Sequence, residues 1–281
     1  MSYSFIAIDI DGTLLTSQRT ISTRCLTAID AAIAAGKQVA LCTGRSLNSA
    51  KPIAEQVHPA TIAVFHSGAL ILEAIDGPIL QAVNMPRTLA SDIVAYLKQA
   101  DYDPLLYDPV PESRHFWYEA GRTVNAWRTR YIEASGDKAQ LVQNLEDCLD
   151  RDPAQMAVAG SRSAMDNLQA QLQARWSEIG IILSRSTLVP NYCFLEIVPE
   201  GVSKANALAI LGAKYGIPSA EMISIGDNFN DLDMIQYAGL GVAMANAPEE
   251  VKTAADLIAP SNDEDGVAYV IENFLLMQGT F

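Results

Sequence analysis

The chain has few of the residues that build disulfide frameworks and zinc sites. Its 281 residues include only four cysteines and three histidines. The cysteines form no CxxC pair and the histidines show no metal-ligand spacing, which argues against a zinc site. Scattered cysteines of this kind are typical of buried thiols in a reducing compartment. They stand at Cys25, Cys42, Cys148 and Cys193.

Basic residues and long apolar runs are also scarce. The chain has 19 lysines and arginines against 33 acidic residues, for a net charge of −14. This excess argues against nucleic acid and anionic membranes as partners. Every apolar run is shorter than the ~18 to 20 residues of a membrane helix. Since no basic segment or cleavage site precedes the first strand-like run, we expect a cytoplasmic protein without a signal peptide. No G-x-G-x-x-G follows that run, which argues against dinucleotide binding.

The apolar residues that are present alternate between strand-like and helix-like patterns. The length of 281 residues is enough for two domains, and hydrophobic residues make up 49% of the chain, enough for a sizeable core. Short buried-strand patterns are separated by amphipathic segments, the first of which stops at Gly36. This rhythm predicts an α/β fold with a Rossmann-like, doubly wound parallel sheet. The predicted strands cover Phe5–Ile10, Val39–Cys42, Ala63–Phe65, Ile223–Ile225 and Gly241–Met244.

The middle of the chain has a different pattern. From about Met85 to Pro199 the alternation weakens and polar residues increase, which indicates an inserted α+β domain. Three prolines between residues 101 and 112 are expected to break regular structure there. We predict helices over Leu141–Leu149 and Met165–Trp176, and a strand over Phe194–Val198.

Two carboxylates follow the first predicted strand. Asp9 and Asp11 are separated by one residue, and Gly12 allows a sharp turn after them. Sites in open α/β sheets form at the carboxyl ends of strands. One carboxylate is a competent nucleophile toward phosphorus, and the other can protonate a leaving alcohol and later deprotonate water. An isolated Asp-x-Asp is usually a solvated turn, but Asp-x-Asp-Gly-Thr after a buried strand indicates a catalytic site.

Two further motifs supply positive charge and hydrogen-bond donors. Thr43-Gly44-Arg45 follows the second predicted strand, where a hydroxyl and free amides can hold phosphate oxygens. Lys204 begins a predicted helix and could neutralise a carboxylate nucleophile and a phosphate. Each motif alone is also compatible with an ordinary turn or helix cap.

A fourth motif carries hard oxygen ligands. Asp227 and Asp231 follow the strand at Ile223–Ile225, four residues apart, with Asn230 between them. Carboxylates without histidine or cysteine suit Mg²⁺. The four motifs each follow a predicted strand or open a helix. We therefore expect them to converge on one edge of one sheet.

These motifs resemble those of the haloacid dehalogenase superfamily of phosphatases, especially its Cof-type branch with a large α/β cap of type IIB. The resemblance covers nearly the whole chain. It includes Gly241–Ala247 and Asn262–Val267 downstream. It implies a core domain of residues 1–83 and 200–281 and a cap of residues 84–199. Asp9 would be the nucleophile and Asp11 the acid/base, with Thr43 and Lys204 supporting catalysis.

The resemblance also implies a metal site and a class of substrate. Mg²⁺ would be held by Asp9, the Asp11 backbone carbonyl and Asp227, with Asn230 and Asp231 supporting the site. Gly12, Gly44, Arg45 and Asn230 would lie at the substrate. The substrate would be a small phosphorylated metabolite, with a sugar phosphate favoured, and the protein a monomer or weak homo-oligomer. Six cap residues are candidate substrate contacts: Arg114, Tyr118, Arg128, Arg130, Arg185 and Tyr192.

Two other functions stay open from the sequence. A phosphomutase shares the same core motifs, but it needs a second cationic phosphate site, and the predicted cap shows no compact basic cluster. A non-catalytic protein that binds phosphorylated metabolites should have lost a motif residue, and the main ones are present.

One departure from the family pattern is Ser67-Gly68 after the third strand, where the family often has Asn-Gly. It is expected to affect contacts near the substrate.

Overall fold

The computed structural model describes residues 3–122, 124–185 and 191–276. The chain divides into two compact units. The first contains residues 1–45, 49–81 and 203–281, and the second contains residues 46–48 and 82–202. The domain bounds expected from the family resemblance stay a prediction.

Strands and helices alternate in the first half of the chain. In order they are β1 Phe5–Ile8, α1 Thr23–Ala34, β2 Gln38–Cys42, α2 Leu47–Ala54, β3 Ile62–Phe65, β4 Leu70–Leu72, β5 Ile79–Ala82, α3 Arg87–Gln99, β6 Leu105–Tyr107, β7 Phe116–Tyr118, α4 Ala126–Ser135 and β8 Ala139–Leu141. The second half continues with β9 Met156–Ser161, α5 Arg162–Arg175, β10 Ile179–Arg185, β11 Tyr192–Pro199, α6 Lys204–Tyr215, β12 Met222–Gly226, α7 Leu232–Tyr237, β13 Leu240–Met244, α8 Glu249–Ala254, β14 Leu257–Ala259 and α9 Gly266–Val270.

The first unit is built on an eight-stranded sheet in the order β14-β13-β12-β1-β2-β3-β4-β5. The strands from β14 to β3 are parallel, and β4 is antiparallel to β3. Ile8 pairs with Ile225 of β12 and with Leu41 of β2. The carboxyl ends of these three central strands are therefore in register, which confirms the predicted α/β class with a parallel core.

Helices cover the central strands, and for that reason all four residues of β1 are buried. Phe5 and Ala7 belong to a core cluster that includes Leu208 and Leu211 of α6. Helix α1 packs beside α9 and buries one face, Cys25, Ala28, Ile29 and Ala32. It ends at Ala34, two residues before the predicted stop at Gly36, which has the left-handed φ of 77° that favours glycine.

The second unit contains a six-stranded sheet in the order β10-β11-β9-β6-β7-β8. Neighbouring strands are antiparallel except β7 and β8, which are parallel. Helices α3 and α5 contribute residues such as Ile93, Leu97 and Leu168 to its hydrophobic core. The predicted helix at Met165–Trp176 and strand at Phe194–Val198 correspond to α5 and β11.

One local prediction for this unit is wrong. Leu141–Leu149 is not an α-helix: β8 ends at Leu141, and a single 3-10 turn covers Leu145–Cys148. The side chains of Asn144 and Glu146 accept hydrogen bonds from Lys98, and this tertiary contact overrides the local helix propensity. The three prolines between residues 101 and 112 lie outside helices and strands, as expected, and a three-residue strand, β6, stands between the first two and pairs with β7 and β9.

Among residues 3–122, 124–185 and 191–276, no helix is both long and apolar enough to cross a membrane.

Candidate active site

The turn after β1 places Asp9 at the centre of the sheet's carboxyl edge. The Asp9 amide donates to Ile225 O at 3.0 Å, and the Asp9 carbonyl accepts from Leu14 N at 3.2 Å. Gly12 has a φ of 80°, and a Cβ atom there would lie 2.4 Å from Asp227 Oδ2. Any larger residue at this position would be strained and would collide with that carboxylate. The predicted sharp turn therefore also packs directly against the fourth motif.

Lys204 is the first residue of α6, and its side chain is buried. Its ammonium Nζ donates to Asp9 Oδ1 at 2.6 Å and to Asp231 Oδ1 at 2.5 Å. The helix end is fixed by two caps, since the Ser203 side chain accepts from Asn206 N and Asp233 Oδ2 accepts from Ala205 N. Lys204 thus joins the first and fourth motifs across the sheet edge.

Asp227 and Asp231 follow β12, as predicted, but they occupy different environments. Asp231 Oδ2 accepts the amides of Asp227 and Asn228 at 3.0 and 2.9 Å, while its Oδ1 accepts from Lys204. Asp227 Oδ1 accepts one hydrogen bond from Thr13 Oγ1 at 3.2 Å. Asp231 therefore accepts three hydrogen bonds, whereas Asp227 accepts one and has more capacity for a further ligand.

The donor set fits a hard divalent cation. Oxygen atoms of Asp9, Asp227 and Asp231 lie within 4.8 Å of one another, and all three residues are buried. Three carboxylates against the single ammonium of Lys204 leave an excess of two negative charges when all are ionised. Buried charge of one sign is unfavourable unless it is compensated. An all-oxygen set with a formal deficit of two positive charges suits Mg²⁺.

The pKa values of the buried groups express the same excess of negative charge. Burial raises the pKa of Asp9 to about 7, with Asp231 adding to the rise and Lys204 opposing it. Burial, Asp9 and Asp231 together raise the pKa of Asp227 well above its ordinary value. Burial alone would lower the pKa of Lys204, but Asp231 and Asp9 raise it. Without a further cation, the site therefore favours protonated carboxyl groups beside a charged lysine.

Asp11 lies outside the carboxylate cluster and pairs with Arg45. The guanidinium donates through Nε and Nη2 to both carboxylate oxygens of Asp11, each at 2.5 Å. The two side chains are 46% and 26% exposed respectively, so the pair is accessible to solvent. Thr43 is buried at the end of β2, and its Oγ1 accepts from Arg45 N. The second motif thus positions Arg45 against the acid of the first.

The remaining predicted residues take supporting positions. Gly44 follows Thr43 in a bend, and Asn230 is partly exposed in the 3-10 turn Phe229–Asp231. Ser67 is fully buried with a φ of 54°, and its amide donates to Thr43 O. The position at which the resembling family often has asparagine therefore lies next to the second motif.

In the second unit, Arg128 contributes to the internal packing. Its guanidinium donates to Glu119 O and lies 5.4 Å from the centre of the Tyr118 ring. Of the six cap candidates, these two therefore have structural partners within their own unit.

The sequence reasoning missed three residues that shape the site. Thr13 contacts Asp227, Asp233 caps α6, and Asn246 Nδ2 donates to Gly12 O at 2.8 Å. Thr13 and Asn246 both lie in stretches that carry the family resemblance, and that was the available signal. Asp233 had none, because a cap that joins two distant segments is not visible along the sequence.

Comparison with known proteins assigns the family. Residues 6–271 match the haloacid dehalogenase-like hydrolases. A Haemophilus influenzae protein provisionally named a phosphatase is 32% identical, covering 97% of this chain and 98% of its own length. The Bacillus subtilis 5-amino-6-(5-phospho-D-ribitylamino)uracil phosphatase YcsE is 30% identical, covering 96% and 95%. The sugar phosphatase BT4131, of subclass IIB, has the same fold, with a TM-score of 0.76 at 20% identity and coverage of 96% and 98%.

The chain therefore belongs to the haloacid dehalogenase-like hydrolases, in their Cof-type branch. It is a phosphoric monoester hydrolase, as the family and its named phosphatase relatives establish.

Proposed function

We propose that the chain is a Mg²⁺-dependent phosphatase that hydrolyses a small phosphorylated metabolite, with a sugar or polyol phosphate favoured, through a phosphoryl group carried on Asp9. The observation that supports this most is the buried cluster in which Lys204 holds Asp9 beside Asp227 and Asp231. One carboxylate would be enough to form an ion pair with Lys204. The two additional carboxylates at this edge of the sheet favour a bound cation and a role in catalysis.

Asp9 is the nucleophile in this proposal. Lys204 engages Oδ1, which leaves Oδ2 as the attacking oxygen. A bond forms between Oδ2 and phosphorus as the bond from phosphorus to the leaving alcohol breaks. A water molecule then attacks the phosphorus of the aspartyl-phosphate, which releases inorganic phosphate and restores the Asp9 carboxylate. Lys204 keeps Asp9 in one orientation through both steps.

Asp11 moves the proton in both steps. Its carboxyl protonates the leaving alcohol in the first, and its carboxylate accepts a proton from the attacking water in the second. Asp11 must separate from Arg45 to reach a leaving group, because both of its oxygens are held by the guanidinium here. A phosphate dianion is a suitable alternative partner for Arg45. Substrate binding and release of the acid would then be linked.

Mg²⁺ would be held by Asp9 and Asp227, together with the Asp11 backbone carbonyl. It would offset the negative charge that otherwise keeps a phosphate dianion from a carboxylate. Asp231 supports the site, because its oxygens are engaged by Lys204 and by two backbone amides. Asn230, in the same turn, is the remaining supporting residue.

The substrate class is proposed from the relatives. YcsE is named for a substrate whose phosphate is carried on a ribityl chain, and BT4131 is named a sugar phosphatase. Both names describe small phosphomonoesters of polyhydroxylated compounds. The acidic composition, with its net charge of −14, is also unfavourable for a polyanionic macromolecular substrate.

Phosphate release tests the proposal. Wild type and Asp9→Asn are assayed on a panel of sugar phosphates, ribityl phosphates and phosphorylated non-carbohydrates, with Mg²⁺ and with a chelator. Asparagine keeps the shape of Asp9 but is a poor nucleophile. We expect Mg²⁺-dependent turnover that is lost in Asp9→Asn and is fastest with polyhydroxylated esters. Absence of turnover on the whole panel, or full activity in Asp9→Asn, would contradict the proposal.

A further inference from the structure

Two loops at the carboxyl edge of the sheet fasten the segment that carries Asp9 and Asp11. Asn246 follows β13, and its Nδ2 donates to Gly12 O at 2.8 Å. Asn262 follows β14, and its Nδ2 donates to Leu15 O at 2.8 Å. The two are joined, since Asn262 N donates to Asn246 Oδ1 at 3.1 Å. One continuous set of hydrogen bonds therefore connects both loops with the backbone after β1.

The point of attachment is sensitive to small shifts. Gly12 is in a left-handed conformation, and a Cβ atom there would lie 2.4 Å from Asp227 Oδ2. Thr13, the next residue, donates to Asp227 Oδ1. Gly12 also directly follows Asp11. A shift of the Gly12 backbone would therefore disturb Asp227, through its contacts with Gly12 and Thr13, and Asp11, through the chain itself.

The chemistry of the Asn246 side chain suits this position. An amide supplies a donor for Gly12 O and an acceptor for Asn262 N from one rigid plane. A carboxylate of the same shape would keep the acceptor but lose the donor, and would place negative charge against a carbonyl oxygen. The Asn246 side chain is exposed. Its hydrogen bonds therefore contribute little to the free energy of unfolding.

We propose that Asn246 is a positioning residue: its amide fixes the Gly12 peptide and so holds Asp11 and Asp227 in the arrangement needed for catalysis and metal binding. The inference rests on the proposed roles of Asp9, Asp11 and Asp227. It gives an exposed side chain, on a loop distant in sequence from Asp9 and Asp11, a role in maintaining the geometry of the site.

The test compares Asn246→Asp with a matched control, Asn273→Asp. Asn273 also donates one side-chain hydrogen bond to a backbone carbonyl, that of Tyr269 at 2.8 Å, within the C-terminal helical segment. Both variants are assayed for kcat and KM on the best ester of the panel. Mg²⁺ binding is measured separately, by titration calorimetry and by the rise in melting temperature on adding the ion alone.

We expect Asn246→Asp to lower kcat by about 10- to 100-fold and to weaken Mg²⁺ binding by about 10-fold, the range seen for residues that orient metal ligands and reacting groups. Its KM and its metal-free melting temperature should stay close to those of Asn273→Asp, which should keep wild-type kcat and Mg²⁺ affinity. Asn262→Ala provides a second variant, with a smaller fall in kcat, should Asn246→Asp not fold.

Unchanged kcat and Mg²⁺ affinity in a folded Asn246→Asp would overturn the inference. Equal losses of kcat and Mg²⁺ affinity in Asn246→Asp and Asn273→Asp would also overturn it, because they would indicate general destabilisation. Asp9→Asn separates these results from the proposed function. If Asp9→Asn is inactive while Asn246→Asp is normal, only the positioning role fails; if Asp9→Asn is fully active, the proposed function fails.

Discussion

Replacement of Lys204 by methionine tests the electrostatic account of the site. Lys204 is fully buried and bridges two buried carboxylates at 2.6 and 2.5 Å. At an effective dielectric constant of about 20, each contact represents roughly 6 kcal/mol of Coulomb attraction. Desolvation of the charges offsets much of this, but removal of one partner from a buried pair typically costs about 3 to 5 kcal/mol. Methionine fills a similar volume, so the expected loss is electrostatic.

The assay is scanning calorimetry at pH 8, with chelator and then with Mg²⁺. In chelator we expect the transition of the first unit to fall by about 10 °C, at roughly 2 to 4 °C per kcal/mol for a unit of this size. Adding Asp231→Asn to Lys204→Met should recover part of the loss, because it removes one of the uncompensated carboxylates. Mg²⁺ should also reduce the difference from wild type, since it supplies positive charge to the same cluster.

A lysine on the same helix provides the control. Lys214 pairs with Glu73 at 3.2 Å, but both side chains are more than a third exposed. Lys214→Met should therefore change the free energy of unfolding by less than about 1 kcal/mol. If Lys204→Met melted within about 2 °C of Lys214→Met in chelator, the Lys204 ammonium would not be offsetting the repulsion between Asp9 and Asp231. The electrostatic argument for a bound cation at this site would then fail.

Two further predictions concern the same cluster. Gly12→Ala should abolish most Mg²⁺-dependent turnover and lower the free energy of unfolding by about 1 to 3 kcal/mol, because the added Cβ would meet Asp227 in a strained backbone conformation. Phosphate release measures the turnover and calorimetry measures the stability. Wild-type values of both would contradict the close packing of Gly12 against Asp227. The raised pKa of Asp9, about 7, predicts that stability from this group declines as pH rises from about 4 to 7 in the metal-free protein, because the folded state holds the proton longer than the unfolded state. Mg²⁺ must displace that proton, so its affinity should increase from pH 5.5 to pH 8, and a pH-independent affinity in titration calorimetry would refute the assignment.

Local patterns predicted the core of the fold because the central strands are buried and the motifs either follow a strand or open a helix. The apolar run before Asp9 forms the buried β1, and Lys204 opens a helix as expected. The predicted α/β class followed from this alternation. The convergence of motifs 195 residues apart, as for Lys204 and Asp9, could be inferred only because parallel strands share one carboxyl edge.

What the sequence did not predict depends on tertiary contacts. The turn at Leu145–Cys148 is set by the Lys98 ammonium, which has three partners in two separate segments of the chain. The pairing of Arg45 with Asp11, and the bonds from Asn246 to Gly12, join residues whose separate patterns give no sign of each other. Polar pairs of this kind depend on the three-dimensional geometry of the fold, which the periodicity of apolar residues along the sequence does not predict.

The central claim is that the phosphoryl group passes through Asp9. The most direct test is rapid quenching of the enzyme in acid during turnover of the best ester, followed by mass spectrometry of the whole protein and its peptides. The account predicts a protein heavier by one phosphoryl group, located on the peptide that contains Asp9 and lost in Asp9→Asn. Steady turnover with no phosphorylated protein at any quench time, or a phosphoryl group on another residue, would contradict it.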